Sequence, residues 1–139
     1  MGYGELLHKS EQRTISPAIC VYIDANGLHE PNNERGHEAG DLMLRFVAES
    51  LMEQFPKGSL CRVGGDEFVV FPAPAEGQTC EDRMRSASAS ITAQGYSISY
   101  GIAAHESVVG LRELVREADE KMLESRRAYY AEHDRRVRK

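Results

Sequence analysis

Asp66 and Glu67 stand directly behind Gly64-Gly65 in the stretch RVGGDEFVVF, and Asp24 closes the apolar run AICVYID. Carboxylates at the ends of strands point to cation chemistry. If the two stretches are neighbouring strands, Asp24 and Asp66 converge at one edge of a sheet as hard oxygen ligands. Mg²⁺ takes one or two protein carboxylates and fills its shell with water and phosphate oxygens. The backbone carbonyl of Ala25 adds a third protein oxygen. Alternation puts Glu67 on the other face of its strand unless the twist at the turn brings it round. The competing reading is a solvated hairpin whose acids only keep a sheet edge soluble.

Asp41 is a second candidate. It precedes Leu44 and Ala48 at helical spacing, so it is expected to continue the buried stripe of its helix, where a carboxylate is costly without a partner. One explanation is a favourable interaction with the helix N-terminal dipole. The other is a ligand whose edge donates two parallel N–H groups, as guanine does and adenine does not. Asn32, in the preceding loop, can supply the complementary amide.

The elements that must position these residues follow from periodicity. Ala18 to Asp24 reads as a central strand buried on both faces. ANGLHEPNNERG reads as a loop. From His37 to about Phe55, Leu44, Ala48, Leu51 and Phe55 make one helical stripe. SLCRV and DEFVVF flank Gly64-Gly65, which predicts a hairpin with a two-residue turn and both glycines at positive φ. Thr79, with Asp82 three residues on, resembles a capping box that opens a helix to about Thr92. Tyr96, Ile98, Tyr100 and Ile102 alternate along one face of a strand. Leu111, Leu114, Val115, Ala118 and Met122 predict a helix to about Tyr130. The order strand, helix, strand, strand, helix, strand, helix predicts an α/β (α+β) fold of the ferredoxin-like kind. Its mixed central sheet has four to five strands, with the hairpin beside the first strand.

Composition narrows the function classes. The chain has 139 residues, enough for one domain with its own core. A net charge of −5 argues against a general nucleic-acid binder. The basic stretch at the C-terminus is expected to be a solvated, mobile tail over 131–139, outside a core of about 17–130. Cys20, Cys61 and Cys80 show no CxxC spacing, and two of them lie in apolar runs. A reducing, cytoplasmic setting is therefore expected. No run approaches the length of a membrane span.

Taken together, these residues resemble the GGDEF domain of diguanylate cyclases. Gly64-Gly65-Asp66-Glu67-Phe68 spells the name motif behind Arg62-Val63. Asp24-Ala25-Asn26-Gly27-Leu28, Asn32-Asn33 and Gly36-His37-Glu38-Ala39-Gly40-Asp41 are similar to the upstream D-x-[DN]-x-[FL]-K-x-x-N-D…G-H-x-x-G-D block. Ala118-Asp119 and Met122 resemble the A-D-x-A-[LM]-Y-x-A-K segment of the last helix. The resemblance covers Ala18 to Tyr130 and implies the nucleotidyl-cyclase (palm-like) topology. It implies condensation of two GTP to cyclic di-GMP with release of pyrophosphate, by two domains facing each other as a homodimer. By position it implies that Asp24, the Ala25 carbonyl and Asp66 bind Mg²⁺ (or Mn²⁺). Asp66 would be the base for the 3′-hydroxyl, and Glu67 would assist the metals. Asn32, His37 and Asp41 would hold the nucleotide, with Asn32 and Asp41 on guanine. Gly64 and Gly65 would let the backbone approach the phosphates, and Arg126 would contact them.

The chain departs from the family pattern in several places. His29 stands where a lysine stabilises phosphate charge, which implies weakened catalysis. Arg126 replaces a lysine and keeps its charge. Tyr130 occupies a position where arginine is common, with Arg127 as a substitute on a different side of the helix, and Leu123 replaces a tyrosine. Phe55-Pro56-Lys57-Gly58 lacks the R-x-x-D of product-inhibited members. The family's opening D-x-L-T-x-L-x-N-R segment is not recognised, so a fragment of a longer protein with an upstream sensory domain is expected. The alternative to an active cyclase is a GTP-binding regulatory module.

Overall fold

The computed structural model describes residues 2–26 and 36–138, with the backbone alone for 36, 37 and 135–138. The apolar run Ala18–Asp24 forms an interior strand of the sheet. Strand β2 (Ala18–Ala25) lies between β4 (Glu67–Phe71) and β5 (Ile98–His105), and β3 (Ser59–Arg62) borders β4. Between β2 and β3 runs helix α2 (Gly36–Gln54); α3 (Pro74–Gly77) and α4 (Cys80–Ala93) lead from β4 to β5. Helix α5 (Arg112–Arg138) ends the described chain. Outside this frame are α1 (Tyr3–Ser10) and a two-stranded pairing of β1 (Thr14–Ile15) with β6 (Val108–Val109). Sequence periodicity is silent on these short elements.

The four strands of the main sheet run antiparallel in every pairing, where a mixed sheet was expected. The reason is the split βαβ connection. Strands β2 and β3 are joined by a helix and run the same way, but β4 inserts between them, and β2 likewise separates β4 from β5. The hairpin does sit beside the first long strand.

Alternation along β2 sends its side chains into two cores. Val21, Ile23 and Ala25 pack with α2 and α4, through Met43, Leu44, Val47, Leu51, Met84 and Ile91. Ala18, Cys20 and Tyr22 pack with α5, through Leu114, Val115, Ala118 and Met122. Tyr96, Ile98, Tyr100 and Ile102 all join the first core, as their spacing predicts. Helix α5 can lie close on the sheet because Gly101 faces it. A Cβ there would fall 2.4 Å from the Ala118 carbonyl oxygen and 2.4 Å from the Met122 nitrogen. Backbone atoms cannot step aside as a flexible side chain would. Gly101→Ala is therefore expected to cost about 2 kcal/mol by overpacking, read as a lower denaturation midpoint. An unchanged midpoint would mean that the helix slides freely on the sheet.

Four local expectations are corrected. The hairpin register pairs Arg62 with Phe68, and the Val63 N–H donates to the Glu67 carbonyl at 3.0 Å, so the loop is Gly64-Gly65-Asp66 and not two residues. Positive φ occurs at Gly95 and Gly110, and not at Gly64 or Gly65. A longer loop spreads the reversal over more bonds and needs no left-handed pair. Thr79 does precede α4, but no side-chain cap forms; its hydroxyl accepts the Arg83 Nε–H at 2.8 Å instead. The basic C-terminal stretch continues α5 to Arg138 rather than leaving the helix near Tyr130.

Candidate active site

Site geometry begins with the parity of β2. Asp24 follows Tyr22 on the face that carries α5, and it is only 1 % exposed. Register places Glu67 directly opposite Asp24, and directly opposed residues share a face. Glu67 thus lies on Asp24's side of the sheet without any help from twist, contrary to the expected alternation, because Asp66 belongs to the loop and the strand begins only at Glu67. Asp66 stands at the mouth of the hairpin, where its carbonyl accepts the Ala25 N–H at 3.0 Å. The result is a cluster in which Asp24, Asp66 and Glu67 each offer an oxygen, all within 4.8 Å of one another.

Neighbouring groups fix this cluster from several sides. Arg126 of α5 places Nε 3.3 Å from Asp24 Oδ2 and its Cζ 5.6 Å from the centre of the Tyr130 ring. Tyr22 donates its hydroxyl to Glu67 Oε1 at 2.8 Å. Arg62 closes the loop, donating from Nη2 to the Gly65 carbonyl at 2.6 Å and from Nε to the Gly64 carbonyl at 3.3 Å. Below, Ser99 donates to Asn26 Oδ1 at 2.8 Å, and Asn26 Nδ2 donates to Ser97 Oγ at 3.0 Å, which anchors the chain just past Ala25.

Electrostatics at the cluster are unfavourable to full ionisation. Burial pushes the Asp24 carboxyl up from an ordinary 3.8 to about 7; the charge of Asp66 adds to this, Arg126 opposes it, and Glu67 adds again. Asp119 of α5 is also raised, first by burial and then by the charges of Glu67 and Glu120. Clustered carboxylates of this kind retain a proton until a cation replaces it. Asp24 Oδ1 is buried and has no hydrogen-bond partner among the described residues. Unsatisfied buried oxygens are rare in folded proteins, and a divalent cation would satisfy this one. The three oxygen donors fit a hard cation such as Mg²⁺ or Mn²⁺.

Of the residues singled out in the sequence, the structure brings together Asp24, Ala25, Asp66, Glu67 and Arg126, with Gly64 and Gly65 in the adjoining loop. His29 and Asn32 lie outside the described residues, as does the side chain of His37. Asp41 is exposed, not part of a buried stripe. Its angular position matches that of Ala48, itself only half-buried, while the buried side of α2 centres on Met43, Leu44, Val47 and Leu51. Tyr22, Arg62 and Asp119 were missed as site neighbours. The two-residue spacing of Tyr22 from Asp24 is the signal that could have found the first of them.

Comparison with known proteins identifies a family. The chain matches the family described as Diguanylate cyclase, GGDEF domain over residues 4–130, beginning ahead of the Ala18 reached by the motifs. The diguanylate cyclase TpbB of Pseudomonas aeruginosa is 40% identical over 55 residues, 39% of this chain and 13% of that protein. The cyclic di-GMP phosphodiesterase PdeB of Shewanella oneidensis is 37% identical over 67 residues, 48% of this chain and 8% of that protein. The chain thus spans a small part of the curated relatives it matches. The solved GGDEF domain of TpbB (YfiN) from Pseudomonas aeruginosa is similar with a TM-score of 0.71 at 28% identity, covering 89% of this chain and 78% of that one.

Proposed function

The chain belongs to the GGDEF diguanylate cyclase domain family, and from that premise we propose that it condenses two GTP molecules to cyclic di-GMP and two pyrophosphates. The observation that carries this reading is the convergence of Asp24, Asp66 and Glu67, with Asp24 Oδ1 buried and without a hydrogen-bond partner among the described residues. Asp24, Asp66 and the Ala25 carbonyl would hold Mg²⁺ or Mn²⁺, with Glu67 beside them. A bound cation supplies neutralisation of phosphate charge and stabilises the attacking and leaving oxygens.

The chain's own residues do the rest. Asp66 accepts the proton of a GTP 3′-hydroxyl. That oxygen forms a bond to the α-phosphorus of a second GTP, the bond from that phosphorus to the bridging oxygen breaks, and pyrophosphate leaves. Two copies of the domain must face each other, because each presents one nucleotide. Gly64 and Gly65 support close approach of the triphosphate. A Cβ at Gly65 would meet nothing within 4 Å, and at Gly64 only the Glu67 side chain in ordinary contact, so the fold itself does not demand glycine here. Asn32 and the exposed Asp41 read guanine, and His37 helps to hold the nucleotide. Arg126 turns from Asp24 to the phosphates. His29, in the place of a lysine, slows the reaction. The missing R-x-x-D removes feedback by product at that site. Among the described residues no helix is long and apolar enough to cross a membrane. In this reading the chain is a cytoplasmic domain controlled by a sensory unit elsewhere in a longer protein.

A second reading, a GTP-binding regulatory module, is favoured by Tyr130, which sits under Arg126 where the family commonly has an arginine. One assay separates the two. With GTP and Mg²⁺, the purified domain should yield cyclic di-GMP and pyrophosphate at a rate that rises more than linearly with protein concentration, and ATP should yield nothing. GTP binding without product, even after fusion to a dimerising partner, would favour the regulatory module. Failure to bind GTP at all would defeat both.

A further inference from the structure

We propose that Tyr22 is a positioning residue of this site: its hydroxyl fixes the Glu67 carboxylate and thereby sets how tightly the acidic cluster holds a divalent cation. The inference rests on the reading of Asp24, Asp66 and Glu67 as a cation site. It adds a residue that makes no contact with cation or nucleotide.

The placement of Tyr22 is specific. Its ring lies in the core beneath α5, and the residue is 9 % exposed. Val69 and Gly101 are its partners across the two neighbouring strands. Gly101 contributes no side chain, so the ring is held between β4 and the helix. The hydroxyl reaches diagonally along the sheet to Glu67 Oε1 at 2.8 Å, one alternation step beyond Val69. An apolar body with a polar tip is what this position requires, since a buried phenol must find a partner.

Glu67 needs such a tether. Its side chain has several rotatable bonds and is half-buried at the end of β4. A donor on one carboxylate oxygen removes much of that freedom and leaves the other oxygen for the ion. Hydrogen bonds to an ionised acceptor are about twice as strong as neutral ones. Mg²⁺ tolerates little departure from octahedral geometry, so the orientation of each oxygen matters. Loss of a supporting hydrogen bond behind a metal ligand typically costs about 10–100-fold in affinity.

The experiment uses Mn²⁺ alone, without nucleotide, with free ion measured by electron paramagnetic resonance at pH 8. Tyr22→Phe keeps the ring and removes only the donor. It should weaken Mn²⁺ binding about tenfold while leaving a cooperative thermal transition in EDTA. Glu67→Ala alone should also weaken binding. Adding Tyr22→Phe to Glu67→Ala should weaken it no further, because the phenol acts through Glu67. Unchanged binding in Tyr22→Phe would overturn the inference and leave the cation site standing. A tenfold loss that persists in the Glu67→Ala background would overturn it too, by showing a general packing effect. If the unaltered domain binds no Mn²⁺, the cation reading itself fails and takes this inference with it.

Discussion

Asp24→Asn should stabilise the metal-free domain and abolish its turnover, two effects of opposite sign from one atom. Asp24 is nearly inaccessible, stands beside two other carboxylates, and has one oxygen without a hydrogen-bond partner among the described residues. Burial and its acidic neighbours raise its carboxyl from 3.8 to about 7. Between those values the folded state keeps a proton that the unfolded chain has already released. Stability therefore falls as pH rises from about 4 to about 7 and levels off above that. Asparagine cannot ionise, so the variant escapes this loss. At pH 8 in EDTA it should be more stable than the unaltered domain by on the order of 2 kcal/mol, and the gap should close toward pH 4. Adding Mg²⁺ should raise the melting temperature of the unaltered domain and not that of the variant. Cyclic di-GMP formation should drop by about a thousandfold, the scale on which electrostatic stabilisation of a transition state is lost. A variant less stable than the parent at pH 8 would show that the Asp24 carboxylate is already satisfied without a cation.

The sequence made the carriers of this chemistry legible far better than their geometry. Asp24 and Asp66 could be placed at strand ends because AICVYID and DEFVVF are unmistakable buried strands, and the motifs named the same residues. Leu111 to Met122 likewise marked the face of α5 that packs on the sheet. What could not be read was parity. Asp66 belongs to the loop, so strand alternation does not relate it to Glu67, and the pairing of Glu67 with Asp24 that puts them on one face is not written in RVGGDEF itself. Asp41 misled for a related reason: helical spacing gives an angle but not the edge of the buried face, and Ala48 at the same angle is half-exposed. Thr79 had the residue type of a cap, yet Arg83 competes for its hydroxyl. Contacts across the fold were least accessible of all. Arg126 on Asp24 and Tyr22 on Glu67 depend on where a helix and a register bring residues that are distant in the chain.

The Arg126 contact yields the other large expected effect. In the metal-free domain this guanidinium lies on the carboxylate that would bind the cation, and a positive charge there opposes a second one. The Arg126 side chain is 36 % exposed and can swing into solvent, whereas Asp24 is 1 % exposed and stays buried. A bound cation would then take over compensation of the buried carboxylate. Removing the guanidinium frees Asp24 Oδ2 and deletes a like charge beside the ion, so Arg126→Ala should bind Mn²⁺ alone several-fold more tightly. With GTP present the balance reverses. A triphosphate carries several negative charges, and a cationic side chain released from Asp24 is well placed to meet them. Turnover in Arg126→Ala should fall about a hundredfold, and Arg126→Lys should recover most of it, since a point charge suffices for phosphate. Tighter ion binding together with slower turnover separates a residue that exchanges partners from one that merely braces Asp24. Were Arg126 only a brace, its removal would weaken ion binding and turnover alike. Were it idle, turnover would not change. Helix α5 would then contribute packing to the sheet and nothing to the nucleotide.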